Sequence, residues 1–562
     1  MTDLALPRAP RPLGTKALVG LLAGAFAGSL AAPAGAQTVL HTFAGAAGDQ
    51  LFANAVAGAG DVDADGFPDV LIGARGDDTV AQDAGATFVD SGRTGALLLS
   101  WLGEAEGDEF GWSVAEAGDV NGDGHDDVIV GAFRHDGVGA NSGRAYVFSG
   151  ADGATLFVLD GTGADDEFSV GVSGVGDIDG DGVPDVAVGA HHDDDNGLNS
   201  GSVRVVSGAN ASQIYLFLGD EAGDDLGHVL AGIGDINADG VPDIIAGLHD
   251  IPDPGQARIY SGADGAVLFN FVGSTGFDFY GHAVAGAGDV DGDGVPDVLI
   301  GAEQDDTSAH NAGRAWLRSG ATGAVLLDWK GDSIDDALGA DVCSAGDWDG
   351  DGVLDVLIAM PGDDPTGVGS GAARFVSGAD GSVLLTWDGV SPGPRSGVVV
   401  DGLGDVNGDG RPDVIIGFSY DDQAAVDAGL AEVLSGALPT WAQAGGGLAG
   451  VDGIPALSGQ GLLLAGTPGA LHGHHAAPLQ PAVLFISLVS TPVAFKGGQL
   501  AAFPPIAQIP LVTSASGDLL VPFAAWPTGI PAGLVLDFQI ALHDTAAVKA
   551  VAISNLLAGT TK

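Results

Sequence analysis

The sequence predicts an all-β protein: a seven-bladed β-propeller of four-stranded blades, followed by a small β-sandwich-like domain. Three observations carry this reading. An aspartate-rich motif recurs seven times, each copy sits among four short strand-like segments, and no helical periodicity intervenes.

The motif begins at Asp61, Asp119, Asp177, Asp235, Asp289, Asp347 and Asp405, at intervals of 58 residues except for one of 54. Two landmarks keep the same beat. A glycine stands sixteen residues before each starting aspartate (Gly45, Gly103, Gly161, Gly219, Gly273, Gly331, Gly389), and a Ser-Gly pair ends at Gly92, Gly150, Gly208, Gly262, Gly320, Gly378 and Gly436. In the second unit, Trp112–Ala117, Asp127–Gly131, Arg144–Phe148 and Ala154–Leu159 read as strands separated by Gly, Asp and Asn turns. Units of this kind and period form propeller blades, and seven of them close a ring. The fourth unit lacks four residues between its second strand and Arg258.

The ends of the array indicate how the ring closes. Thr38–Phe43, followed by Gly45, matches the fourth strand of the other units, whereas Leu438-Pro439 is a poor strand start. The amino-terminal strand is therefore expected to complete the last blade and remove the open edge. A weak strand near Thr440–Ala444 is the alternative.

Residues 1–36 read as a signal peptide. Arg8, Arg11 and Lys16 precede the apolar run Ala17–Ala32, and Ala34-Gly35-Ala36 supplies a small-residue cleavage site. The run is shorter than the roughly 20 apolar residues of a spanning helix, and no later segment offers one. The expected organisation is a propeller over 37–437, a linker over 438–452 and a carboxyl-terminal domain over 453–562, in a secreted or cell-surface protein. Segments such as Ala482–Val489, Asp518–Phe523 and Leu534–Ile540 suggest strands in that last domain.

The formal net charge is −57, and removing the basic leader makes the chain more acidic still. Such a field repels nucleic acid and anionic lipid and attracts cations and basic surfaces. Disorder is the usual companion of strong acidity, but an apolar fraction of 46% with regular strand patterning indicates a packed core. The single cysteine, Cys343, excludes an intramolecular disulfide and reads as a small core residue. Something else must rigidify an exported chain.

The seven loops offer it. The first presents Asp61, Asp63, Asp65 and Asp69 as side-chain ligands, with the carbonyl of Phe67 between them; the second presents Asp119, Asn121, Asp123, His125 (carbonyl) and Asp127. The third and fourth continue with Asp177, Asp179, Asp181, Val183, Asp185 and Asp235, Asn237, Asp239, Val241, Asp243. The fifth and sixth use Asp289, Asp291, Asp293, Val295, Asp297 and Asp347, Asp349, Asp351, Val353, Asp355; the last uses Asp405, Asn407, Asp409, Arg411 and Asp413. Oxygen ligands at positions 1, 3, 5 and 9, a carbonyl at 7 and glycine at 6 suit a hard cation with six to eight ligands, so up to seven Ca²⁺ ions are expected, one per blade. No His or Cys side chain at a ligand position points to zinc. An EF-hand would need glutamate at position 12, where Ile72, Val130 and Val188 stand.

From Thr38 to Gly436 the chain resembles the FG-GAP repeats of integrin α-subunit propellers and related bacterial exported proteins. Phe110-Gly111 and Gly131-Ala132-Phe133 carry the resemblance, with Tyr280-Gly281, Leu226-Gly227 and Leu338-Gly339 as variants; of the second element's proline, only Met360-Pro361 remains. The resemblance implies that the aspartate loops join the first and second strands of each blade and bind Ca²⁺, and that ligands use the opposite face. Integrins keep such loops in a subset of blades, so seven here shift weight toward calcium as a stabiliser of the ring.

The opposite face is acidic too, with Asp77-Asp78, His192-Asp193-Asp194-Asp195, Asp305-Asp306, Asp363-Asp364 and Asp421-Asp422, and with Asp108-Glu109, Asp165-Asp166-Glu167, Asp224-Asp225 and Asp335-Asp336. A solvated, repulsive rim is the default reading. Arg75-Gly76-Asp77 spells an adhesion tripeptide, but its aspartate belongs to this acidic column and the match reads as coincidence. His472, His474 and His475 cluster in a Gly/Ala/Pro loop without a nearby carboxylate. No nucleophile, phosphate loop or redox motif stands outside the repeat. The sequence thus reads as a non-enzymatic, calcium-binding adhesion scaffold with an extracellular protein or polysaccharide ligand. A polysaccharide-acting hydrolase or lyase and a structural cell-surface component are the alternatives.

Overall fold

The computed structural model describes residues 39–436, apart from 47, 49, 250–253, 275, 366–368, 390–397 and 423–425, together with the strand backbone between Trp441 and Thr560. The signal-peptide reading at 1–36 lies outside these residues.

Val39–Gly436 forms a ring of seven four-stranded antiparallel sheets. Each of the first six blades uses four consecutive strands, as in Val114–Gly118, Asp127–Ala132, Arg144–Phe148 and Thr155–Asp160. The seventh takes Val398–Gly404, Asp413–Phe418 and Leu430–Leu434 from the end of the ring and its outer strand, Val39–Ala44, from the beginning. Thr42 lies opposite Glu432 and Ala44 opposite Leu430. The expected latch is present. Trp441–Gly445, near the alternative closing strand, pairs instead with Leu556–Thr560 in the second unit.

Each strand type follows from its place. The second strand of every blade is buried along its whole length, which is why it reads as a continuous apolar run ending in small residues. First strands from all seven blades converge on the axis and are rich in Ala and Gly. A Cβ on Gly174 would come within 2.5 Å of the Glu116 carbonyl in the preceding blade. Outer strands alternate between solvent and the neighbouring blade, and Trp101 and Trp329 donate their indole N–H to the carbonyls of Gly153 and Gly381, one blade ahead, at 2.9 and 3.0 Å.

The core lies between sheets rather than inside one. Leu71 and Val89 of the first blade pack with Val128, Val130 and Tyr146 of the second. Phe52 and Ile72 pack with Leu403, Ile415 and Val433, so the last blade meets the first through apolar contact as well as through the latch. Cys343 is buried and unpaired, and burial pushes its thiol up.

The first strands enclose an axial cavity of about 570 Å³ whose wall includes Glu116, Asp341 and Asp401. Asp341 accepts the N–H groups of Val342 and Val400, and Asp401 those of Gly58 and Gly402. Burial nonetheless pushes Asp341 up to about 7 and Asp401 to about 6. A folded-state pKa above the unfolded one contributes stability at low pH that is lost as pH rises through the folded value. Thermal melts of metal-stripped protein should therefore show a midpoint that falls from about pH 4 to about pH 7 and levels off above it. A midpoint that rises over that window would contradict the buried, uncompensated state of these carboxyls.

In the second unit, Pro481–Ser487 pairs with Ala507–Val512 on one side and Val535–His543 on the other, and Val535–His543 pairs with Leu556–Thr560. A separate sheet joins Ala456–Gln460, Gly469–His474 and Leu519–Phe523.

Candidate metal centres

The aspartate loops join the first and second strands of each blade. In the first loop the Asp61 carboxylate accepts the N–H groups of Asp65 and Gly66, each at 2.9 Å; Asp63 accepts that of Asp65 at 3.1 Å, and Asp65 that of Phe67 at 3.0 Å. The same bonds recur from Asp119, Asp177, Asp235 and Asp405. Side chains that bond backbone a few residues ahead fold the segment into a tight turn, and Gly66, with φ of 90°, takes the left-handed position that the turn requires.

The turn brings together positions 1, 3 and 9. Ligand oxygens of Asp61, Asp63 and Asp69 lie within 4.8 Å of one another, as do those of Asp177, Asp179 and Asp185 and those of Asp289, Asp291 and Asp297. Position 5 is at the exposed rim, where Asp65 also approaches Arg93 at 3.5 Å. Position 7 follows with its N–H held by position 5, and its side chain can lean on the preceding blade: His125 Nδ1 is 2.7 Å from the Val62 carbonyl, and Arg411 donates to that of Trp348.

Position 9 does a second job that its spacing alone did not reveal. In all seven blades its Oδ1 accepts the N–H of the glycine in the Ser-Gly pair, at 2.9 to 3.1 Å. In the first, second, third and fifth blades its Oδ2 accepts backbone N–H groups from positions 2 and 3, as Asp127 does from Val120 and Asn121. The same glycine meets the position-2 side chain of the preceding blade throughout: Val62 lies against Gly150, Val120 against Gly208, and so on to Trp348 against Gly436 and Val406 against Gly92. Each loop therefore fastens its own blade to the next, and the seventh fastens the ring shut.

These carboxylates are buried without a cationic partner. Desolvation outweighs the N–H groups and raises Asp69, Asp127 and Asp355 to about 6 and Asp413 to about 7, with Asp185, Asp243 and Asp297 raised in the same sense. Oδ1 of Asp289 and of Asp347, both at position 1, is buried with no hydrogen-bond partner. An all-oxygen donor set with orphaned, desolvated carboxylate oxygens fits a hard divalent cation.

Two substitutions separate fold from ligation. Asp127→Ala strips an acceptor from the buried N–H groups of Val120, Asn121 and Gly150, and should cost about 3 kcal/mol or more with or without calcium. Asp123→Ala, at the exposed position 5, should cost less than about 0.5 kcal/mol in chelator and show its effect only in calcium. Urea unfolding of both variants in the two conditions checks this.

The opposite face corrects the reading of a solvated acidic rim. Asp77, Asp108, Asp166, Asp193, Asp224, Asp305, Asp336 and Asp421 are buried. They order loops: Asp77, Asp193 and Asp305 accept the N–H two residues ahead, and Asp108, Asp166, Asp224 and Asp336 accept the N–H three residues behind. The adhesion tripeptide is tied into this scheme. Asp77 is 3% exposed and holds Gln50 and Thr79, and Arg75 pairs with Glu109 while stacking on Trp112.

Sequence reading named His192 on this face but missed the histidine group to which it belongs. His191 and His192 follow the second strand of the third blade, His249 follows that of the fourth, and His228 and His282 precede the first strands of the fourth and fifth. Aligning the repeats shows the signal: His191 and His249 share one column, and His228 and His282 share another. The side chains of His472, His474 and His475 lie outside the described residues.

An FG-GAP repeat model matches residues 110–148, 170–217 and 280–317, within the second, third and fifth blades. Among characterised proteins, integrin alpha-6 of Gallus gallus is 32% identical over 220 residues, 38% of this chain and 15% of that integrin. Integrin alpha-5 of Xenopus laevis is 26% identical over 233 residues, 40% of this chain and 18% of its own length. Human integrin alpha-6 is 35% identical over 133 residues, 21% of this chain and 12% of that protein. The matches thus span less than a fifth of each integrin.

Proposed function

We propose, from the premise that the ring is an integrin alpha-like FG-GAP β-propeller, that this protein is an extracellular adhesion-type scaffold clipped together by calcium. The observation that carries the calcium half is the sevenfold loop. Carboxylates at positions 1, 3 and 9 converge where each blade is fastened to the next, and two of the position-1 oxygens are buried without a partner. A Ca²⁺ ion takes six to eight oxygens and would offset the charge that burial leaves exposed to its neighbours. Asp, Asn and the position-7 carbonyl would hold it.

The adhesion half rests on the likeness to integrin α-subunits and on the leader-like residues 1–36. Among the described residues no helix is long and apolar enough to cross a membrane. A ligand, protein or polysaccharide, would sit on the face opposite the aspartate loops, where loops between second and third strands and between blades meet. The test is binding of labelled full chain to arrays of extracellular-matrix proteins and polysaccharides, in calcium and in chelator, with product analysis of every bound glycan. Calcium-dependent retention of intact ligand supports the scaffold. Cleavage of the bound polysaccharide would replace it with the hydrolase or lyase reading.

A further inference from the structure

We infer that His228, His249 and His282 form a binding site for a late first-row divalent metal of the zinc type, on the face opposite the aspartate loops and between the fourth and fifth blades. The three side chains offer ligand nitrogens that all lie within 4.8 Å of one another. Tetrahedral Zn²⁺ with Zn–N bonds of about 2.0–2.1 Å would bring such nitrogens to about 3.3 Å apart, a small closure for three side chains on loop positions.

The hydrogen-bonding state of the rings points to a ligand rather than to a packed core. Nδ1 of His228, Nε2 of His249 and Nδ1 of His282 are each buried without a partner, although buried ring nitrogens are ordinarily satisfied. His249 is only 7% exposed. The Gly281 backbone lies beside the His249 ring, the kind of neighbour by which metal-binding imidazoles are oriented. Nε2 of His282 is 3.7 Å from Glu303, a second such orienting group. The ring centroids of His228 and His249 are 4.4 Å apart and those of His249 and His282 are 5.0 Å apart. Stacking accounts for the apolar ring faces but leaves all three nitrogens unsatisfied.

Chemistry selects the metal class. Three neutral imidazoles suit Zn²⁺, Ni²⁺ or Cu²⁺ and do not suit Ca²⁺ or Mg²⁺, which take oxygen. Burial and the neighbouring imidazoles lower the basicity of His228 and His249, in keeping with rings that stay neutral. His228 and His282 are partly exposed as residues, and three protein ligands would leave a fourth coordination position for water or a ligand's carboxylate. The site therefore differs in location, donor set and metal from the seven aspartate loops.

The test is zinc titration of metal-stripped full chain in saturating calcium, followed by calorimetry and by competition with a chromogenic chelator. Tight Zn²⁺ binding is expected, weakened at least about 100-fold in His249→Gln and in His228→Asn and about 10-fold in Glu303→Gln. It should persist in the triple variant His472→Gln/His474→Gln/His475→Gln. Equal thermal midpoints in calcium verify that the variants fold. Independently of any variant, Co²⁺ in the wild-type chain should give the intense visible bands of a tetrahedral nitrogen site. Absence of zinc binding, binding that survives His249→Gln, binding lost in the triple variant, or a weak six-coordinate Co²⁺ spectrum would each overturn the assignment.

Discussion

Removing calcium should lower the midpoint of thermal unfolding by about 20 °C. A ligand present at a hundred times its dissociation constant stabilises a site by about 2.7 kcal/mol, and unfolding a ring of this length carries an entropy near 0.8 kcal/mol per kelvin, so each occupied loop is worth about 3 °C. Seven loops add because they share one transition. Each loop's position-9 aspartate holds its own blade's Ser-Gly turn, and its position-2 residue packs on the next blade's glycine, so no loop can slacken without loosening an interface. Calorimetry in calcium, in chelator and in magnesium checks this, and the midpoint should recover in calcium only. A midpoint indifferent to chelator would leave the ring held by its hydrogen bonds and apolar packing without calcium.

The second large effect concerns the latch. Deleting Val39–Ala44 removes the outer strand of the seventh blade, the apolar contacts of Leu40 and Phe43 with the closing core, and the bond from His41 to the Gly92 carbonyl. Burial of two large side chains and several ladder bonds sums to about 5 kcal/mol. Leu430–Leu434 is then an open edge, which invites pairing between molecules. The expected result is a midpoint lower by several degrees, together with concentration-dependent association in analytical ultracentrifugation. A truncated chain that stays monomeric at full stability would show that packing between the first and last blades closes the ring unaided.

Much of this architecture could be read from spacing. The repeat of Asp61 through Asp405 set the blade count, Thr38–Phe43 identified the missing strand, and the motif placed the loops between first and second strands. Strand ends were off by a residue or two, as at Val114–Gly118 against the expected Trp112–Ala117. What spacing could not express was which groups bond. Asp69 and Gly92 were recognised as separate landmarks, yet they form one hydrogen bond across the blade. Acidic pairs looked alike in sequence, but burial divides them: Asp77 is enclosed and caps a loop, while Asp78 is at the surface side of the same turn. The histidines were hidden for a different reason. His228, His249 and His282 are 21 and 33 residues apart, and only the closure of adjacent blades brings their rings into contact.

If the seven loops are calcium clips, each must hold one ion, and the number of bound ions is countable. Equilibrium dialysis of metal-stripped protein against labelled calcium should saturate near seven ions per chain, falling by one with Asp119→Ala and by one more with Asp235→Ala added. Saturation at zero, or a count that does not change with these substitutions, would contradict that role.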